Sequence, residues 1–114
     1  MQVHYLEFVT PDVDVVCETL SQLHGVAFEP GDPVLGNART ATLAGGGKIG
    51  VRAPMHETET PIVRPYMLVD DIDAAVASAE KAGGEVAVAP MELPGHGKCA
   101  IFFQGGIQHG LWQV

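Results

Sequence analysis

The chain has 114 residues, 46% hydrophobic and 18% charged, and its 14 acidic against 6 basic residues give a net charge of −8. These values fit one folded domain, or two small half-domains sharing a core, and argue against disorder. With no basic cluster nucleic acid is disfavoured as a partner, and no apolar run approaches the roughly 20 residues of a membrane span. The N-terminus lacks a signal peptide's basic start, so the expected compartment is the cytoplasm, with no membrane partner.

The first predicted strand runs from about Val3 to Val9 and is closed by the turn residues Thr10 and Pro11. Asp12 is placed as the N-cap of a helix whose apolar stripe is Val13, Val16, Cys17, Leu20 and Leu23, with Gly25 ending it. His24 precedes that glycine, where a positive charge suits a helix C-terminus. Three further strands are expected at Val26 to Glu29, Ala38 to Leu43 and Lys48 to Arg52, separated by Pro/Gly-rich turns.

The stretch APMHETETP, residues 53 to 61, is polar and proline-bounded, and reads as a linker. Beyond it the pattern repeats. YLEFVTPDVDVVCETLSQLHGV overlays RPYMLVDDIDAAVASAEKAGGEV, and Asp12-Val13-Asp14 matches Asp71-Ile72-Asp73 at an offset of 59 residues. Asp71 caps the second helix, Ile72, Ala75, Val76 and Ala79 form its stripe, and Gly83-Gly84 terminate it. Strands are then expected at Glu85 to Ala89, Lys98 to Phe103 and Ile107 to Gln113.

Each half therefore reads strand–helix–strand–strand–strand: repeat 1 over about 1–53, repeat 2 over about 62–114, with 54–61 between them. Halves this small are marginal alone, so they are expected to pack together or to swap with another chain. A helix on one face of each leaves the opposite face for a ligand. Cys17 and Cys99, the only cysteines, lie among apolar neighbours and read as buried reduced thiols.

The paired pattern, the stretch LVDDIDAAVASAEKAGGEV and the closing GLWQ resemble the vicinal oxygen chelate superfamily across essentially the whole chain. Glyoxalase I, extradiol dioxygenases, methylmalonyl-CoA epimerase and bleomycin-resistance proteins are members. The resemblance implies an α+β fold in which two βαβββ modules form a cupped mixed β-sheet with helices on the convex side, commonly as a homodimer. In the family's metal enzymes, His or Glu from the first and last strand of each module hold a divalent ion, which polarises substrate oxygens.

Arg64 occupies the usual histidine position of the second module, and a guanidinium cannot ligate a metal. Gly110 stands where the last strand usually offers a glutamate, and the adjacent His109 faces the other side of the sheet. In the first module the matching residue is Tyr5, or His4 if Thr10-Pro11 adds one residue; the strand KIGVR has neither histidine nor acid. One ligand of four at most survives, so no cofactor is expected, although a divalent metal stays open as an alternative. His56, Glu57 and Glu59 in the linker read as a solvated run. His96, in LPGHGK, reads as an exposed turn residue or a lid residue.

Strand alternation puts Tyr5, Glu7 and Val9, then Arg64, Tyr66 and Leu68, on the ligand side, joined by Gln108, Gly110 and Trp112. Leu6, Phe8, Met67 and Val69 then pack under the helices, with His109 and Leu111 also facing away. The ligand-binding set is thus Tyr5, Glu7, Arg64, Tyr66, Gln108 and Trp112, suited to a small polar or planar molecule. Glu7 either pairs with Arg64 or acts as a catalytic general base. The expected function is metal-independent binding of a small organic molecule. The alternatives are a metal-dependent lyase, isomerase or dioxygenase of the glyoxalase type, and a non-catalytic, dimerising module whose cup is filled by side chains.

Overall fold

The computed structural model describes residues 1–114 and contains seven strands and two α-helices, an α+β fold. They divide into two compact units. One comprises Tyr5–Val63; the other comprises Met1–His4 with Arg64–Val114. No helix is long and apolar enough to cross a membrane.

In the N-terminal unit, the Tyr5–Val9 part of β1 (Val3–Val9) leads into α1 (Val13–His24), followed by β2 (Arg39–Thr42) and β3 (Lys48–Arg52). β1 pairs in parallel with β3, and β2 pairs antiparallel to β3. Gly25 ends α1 in the left-handed region at φ 67°, as the sequence predicts. Leu6, Phe8, Ile49 and Val51 share one face by register, and Arg39 on that face reaches Asp14 of α1 at 2.9 Å. That is the helix side, as the alternation of β1 predicts for Leu6 and Phe8.

Two local expectations fail here. Asp12 stands at the N-cap position, but its carboxylate makes no capping bond; its own N–H donates to Thr10 Oγ1 at 3.1 Å. Val26 to Glu29 forms no strand. Only Glu29 N–H reaches Thr40 O, at 2.7 Å, before Pro30 and Pro33 remove the donors a ladder needs and Pro33–Leu35 winds a 3-10 turn.

In the C-terminal unit, the Arg64–Leu68 part of β4 (Ile62–Leu68) leads into α2 (Ile72–Lys81), then β5 (Glu85–Leu93), β6 (Gly97–Gln104) and β7 (Ile107–Gln113). The strand order is β4-β7-β6-β5, with β4 parallel to β7 and the rest antiparallel. Asp71 caps α2 through Ala74 N–H at 3.1 Å. β5 runs past the expected Ala89 to Leu93, because an edge strand with register shifts accommodates Pro90. Ile72 and Val76 of α2 pack on Ala100 and Leu111, with Val69, Val86 and Phe102 around them. Burying four such side chains contributes on the order of 1–3 kcal/mol each for the larger ones.

Candidate functional site

The helix-free face of the N-terminal unit is set by the parallel register. Tyr5 lies beside Lys48, Glu7 beside Gly50 and Val9 beside Arg52, so these six share a face. Tyr5, Glu7 and Arg52 are all buried. Glu7 Oε2 accepts from Arg52 Nε at 2.8 Å. The guanidinium's other edge forks onto Glu59, Nη1 to Oε1 at 2.8 Å and Nη2 to Oε2 at 2.7 Å.

Glu59 is therefore not the solvated linker residue the sequence suggests. Its bonds from Arg52 hold the carboxyl down at about 2, against the opposing effect of burial. The neighbouring His56 and Glu57 are exposed as expected, and His56 Nδ1 lies 2.8 Å from Thr58 Oγ1. Burial, followed by the Glu7 charge, pushes the Tyr5 phenol well above its ordinary value, with Arg52 opposing.

On the helix-free face of the C-terminal unit, Tyr66 lies beside Gly110, Leu68 beside Trp112, and Trp112 beside Cys99. Arg64, Tyr66 and Trp112 are buried, and Gln108 is half-buried. Arg64 Nη1 donates to Gln108 Oε1, and Arg64 Nε to the Tyr66 hydroxyl at 3.3 Å. The guanidinium carbon sits 5.8 Å from the Tyr66 ring centroid. Trp112 meets Tyr66 edge-on with centroids 5.7 Å apart, and the His4 ring lies 5.6 Å from Trp112.

Trp112 Nε1 donates to the carbonyl of His96 at 2.8 Å, so His96 joins this cluster through its backbone. His109 lies on the opposite face, stacked on Phe102 with centroids 4.6 Å apart, as alternation requires. Cys17 and Cys99 are buried free thiols, and burial pushes the Cys17 thiol up.

The repeat makes the two faces comparable residue by residue. β1 and β4 begin and end 59 residues apart, as do the starts of α1 and α2, so Tyr5, not His4, corresponds to Arg64. Glu7 then corresponds to Tyr66, and the residues paired with them, Gly50 and Gly110, correspond to each other. A Cβ on Gly110 would meet Tyr66 Cδ2 and the Pro65 carbonyl at 2.6 Å, and one on Gly50 would meet the Tyr5 hydroxyl at 1.7 Å. The positions that the resemblance gives to metal ligands thus carry a phenol and a glycine in one unit and a guanidinium and a glycine in the other, and the side-chain space of both glycines is filled. Neither pair offers the ligands a divalent ion needs.

The residues that sequence reasoning missed are Arg52 and Glu59. Arg52 ends a strand, KIGVR, that offers no metal donor, and Glu59 lies in a polar, proline-bounded stretch that reads as a linker. A signal existed for Arg52: it lies on the same strand parity as Gly50, and so on the ligand side.

No family model matches the chain. It is 28% identical, over a 127-residue alignment, to an anthracycline biosynthesis protein of Streptomyces peucetius, DnrV, with 96% of this chain and 46% of the relative covered. The counterpart DauV of Streptomyces sp. strain C5 is 27% identical with the same coverage. The chain spans about half the length of these curated relatives.

Among solved structures, methylmalonyl-CoA epimerase from Mycobacterium tuberculosis aligns with a TM-score of 0.75 at 16% identity, over 97% of this chain and 86% of that one. The Streptomyces coelicolor epimerase in complex with 2-nitronate-propionyl-CoA aligns at 0.72 and 14%, over 100% and 97%. A hypothetical protein of Bacillus halodurans aligns at 0.79 and 11%, over 99% and 94%. The chain has the vicinal-oxygen-chelate fold.

Proposed function

We propose that the chain binds a small organic molecule without a metal, on the helix-free face of the C-terminal unit. Arg64 and Gln108 supply donors for ligand oxygens, while Tyr66 and Trp112 supply aromatic surface. The observation that carries this reading is the packing at Gly110: the space of the family's glutamate is taken by Tyr66, and a guanidinium replaces the histidine. Glu7, held by Arg52, balances charge rather than acting as a general base.

The relatives named for anthracycline biosynthesis make a planar, oxygen-bearing aromatic molecule the favoured ligand class. The epimerase neighbours make acyl-CoA thioesters the comparison class. The homodimer common in the family and a cytoplasmic location belong to the same proposal.

The near-complete burial of Arg64, Tyr66 and Trp112, at 5%, 5% and 3% exposure, favours a second reading, in which side chains fill the site and the domain serves association only. Thermal-shift titration with hydroxyquinones and with acyl-CoA thioesters, each with and without chelator, separates the readings. Saturable, chelator-insensitive stabilisation by the planar compounds, weakened about tenfold or more by Arg64→Gln, supports the proposal. A flat response across both classes gives the filled-site reading. Metal copurifying at about one equivalent per chain overturns metal independence.

A further inference from the structure

The Arg52 fork has the geometry proteins use to recognise a ligand carboxylate, yet here the carboxylate comes from the chain itself. Two parallel N–H···O bonds of 2.8 and 2.7 Å join Nη1 and Nη2 to the two oxygens of Glu59. The guanidinium is pre-set for this. Glu7 holds Nε at 2.8 Å, the Ala53 carbonyl accepts from Nη1 at 3.1 Å, and the Arg52 side chain is 5% exposed.

The carboxylate that closes the fork hangs on a lightly held segment. Ala53, Met55, His56, Glu57, Thr58 and Thr60 are all exposed. Met55 reaches over Gly36, where a Cβ would come within 2.4 Å of its methyl carbon, but Met55 is still 64% exposed. Within the segment, Glu59 Oε1 also accepts from Met55 N–H at 2.7 Å. Glu59 thus holds the segment to β3 and also covers the fork.

We propose that Arg52 is a carboxylate-recognition site, closed in this state by Glu59 and opened when a ligand carboxylate takes the place of that side chain. The exchange replaces one bidentate carboxylate with another, so the bonds to the guanidinium are conserved and only the exposed segment is released. This goes beyond binding on the C-terminal unit, because every residue invoked lies within Tyr5–Val63. The two readings therefore fail separately.

The test is rescue with acetate, using chloride at equal ionic strength as the control. In Glu59→Ala the vacated fork should take up acetate, raising the unfolding midpoint in a saturable way by about 4 °C or more, with chloride giving no comparable rise. Arg52→Gln combined with Glu59→Ala should lose the difference between the two salts. If Glu59→Ala does not fold, Glu59→Gln keeps the side chain's shape and should show the same preference for acetate. In the unmodified protein, saturating acetate should speed hydrogen exchange at the Met55 amide by releasing its acceptor. Equal responses to acetate and chloride, an acetate effect that survives loss of Arg52, or a Met55 amide unmoved by acetate would each overturn the proposal.

Discussion

The Tyr66 ring packs so closely on Gly110 that a side chain added at Gly110 would collide with it. A Cβ at Gly110 would lie 2.6 Å from Tyr66 Cδ2, 2.7 Å from its Cγ and 2.6 Å from the Pro65 carbonyl oxygen. The Tyr66 ring in turn meets Trp112 and sits within reach of Arg64. A missing methyl group thus sets the position of an arginine–aromatic cluster.

Gly110→Ala is expected to destabilise the fold by about 1–3 kcal/mol, the usual cost of overpacking a filled interior. Gly45→Ala is the control, since nothing lies within 4 Å of its Cβ, and it should stay within about 0.5 kcal/mol. Urea midpoints of the two variants check the contrast; equal values would show that the Tyr66 ring moves aside freely.

Trp112→Phe keeps aromatic bulk but deletes the bond to the His96 carbonyl. The expected cost is about 1–2 kcal/mol, with faster hydrogen exchange around residues 94–97, because the lost donor leaves that carbonyl to solvent. A His96→Ala variant should retain the bond, since only the backbone carbonyl is used. Exchange measured on both variants distinguishes a backbone tie from a side-chain role.

Acid should loosen the N-terminal unit through Glu59. Its carboxyl is depressed from the ordinary 4.5 to about 2, so its contribution is fully present above about pH 4.5 and is lost as pH falls through 2. Allowing for solvent screening at a half-buried group, the loss is about 1–2 kcal/mol. Glu59→Gln should remove that part of the stability difference between pH 5 and pH 2, as read by urea unfolding at both values.

Neither thiol should react readily in the native state. Both are buried, and burial raises Cys17, which removes the thiolate that attacks a disulfide reagent. Titration with such a reagent should find two thiols per chain in denaturant and slow, minor reaction without it. Fast native labelling at Cys17 would mean that α1 opens far more readily than its buried contact suggests.

The sequence by itself determined the repeat, the helices after Asp12 and Asp71, and the faces of β1, β4 and β7. A 59-residue offset and the two- and 3.6-residue periodicities are properties of the chain, and β1, β4 and β7 follow them. It also identified Gly110 and Arg64 as departures from a metal-binding pattern. Periodicity names a residue's face but not its partner, and partners are set by registers between strands distant in sequence. Only the tertiary structure could place Arg52 against Glu7, 45 residues away, or bring the His96 carbonyl under the Trp112 indole. It also decided that Val26 to Glu29 forms no strand. A single bond to Thr40 and two prolines left that stretch without a ladder, whatever its residues favour locally.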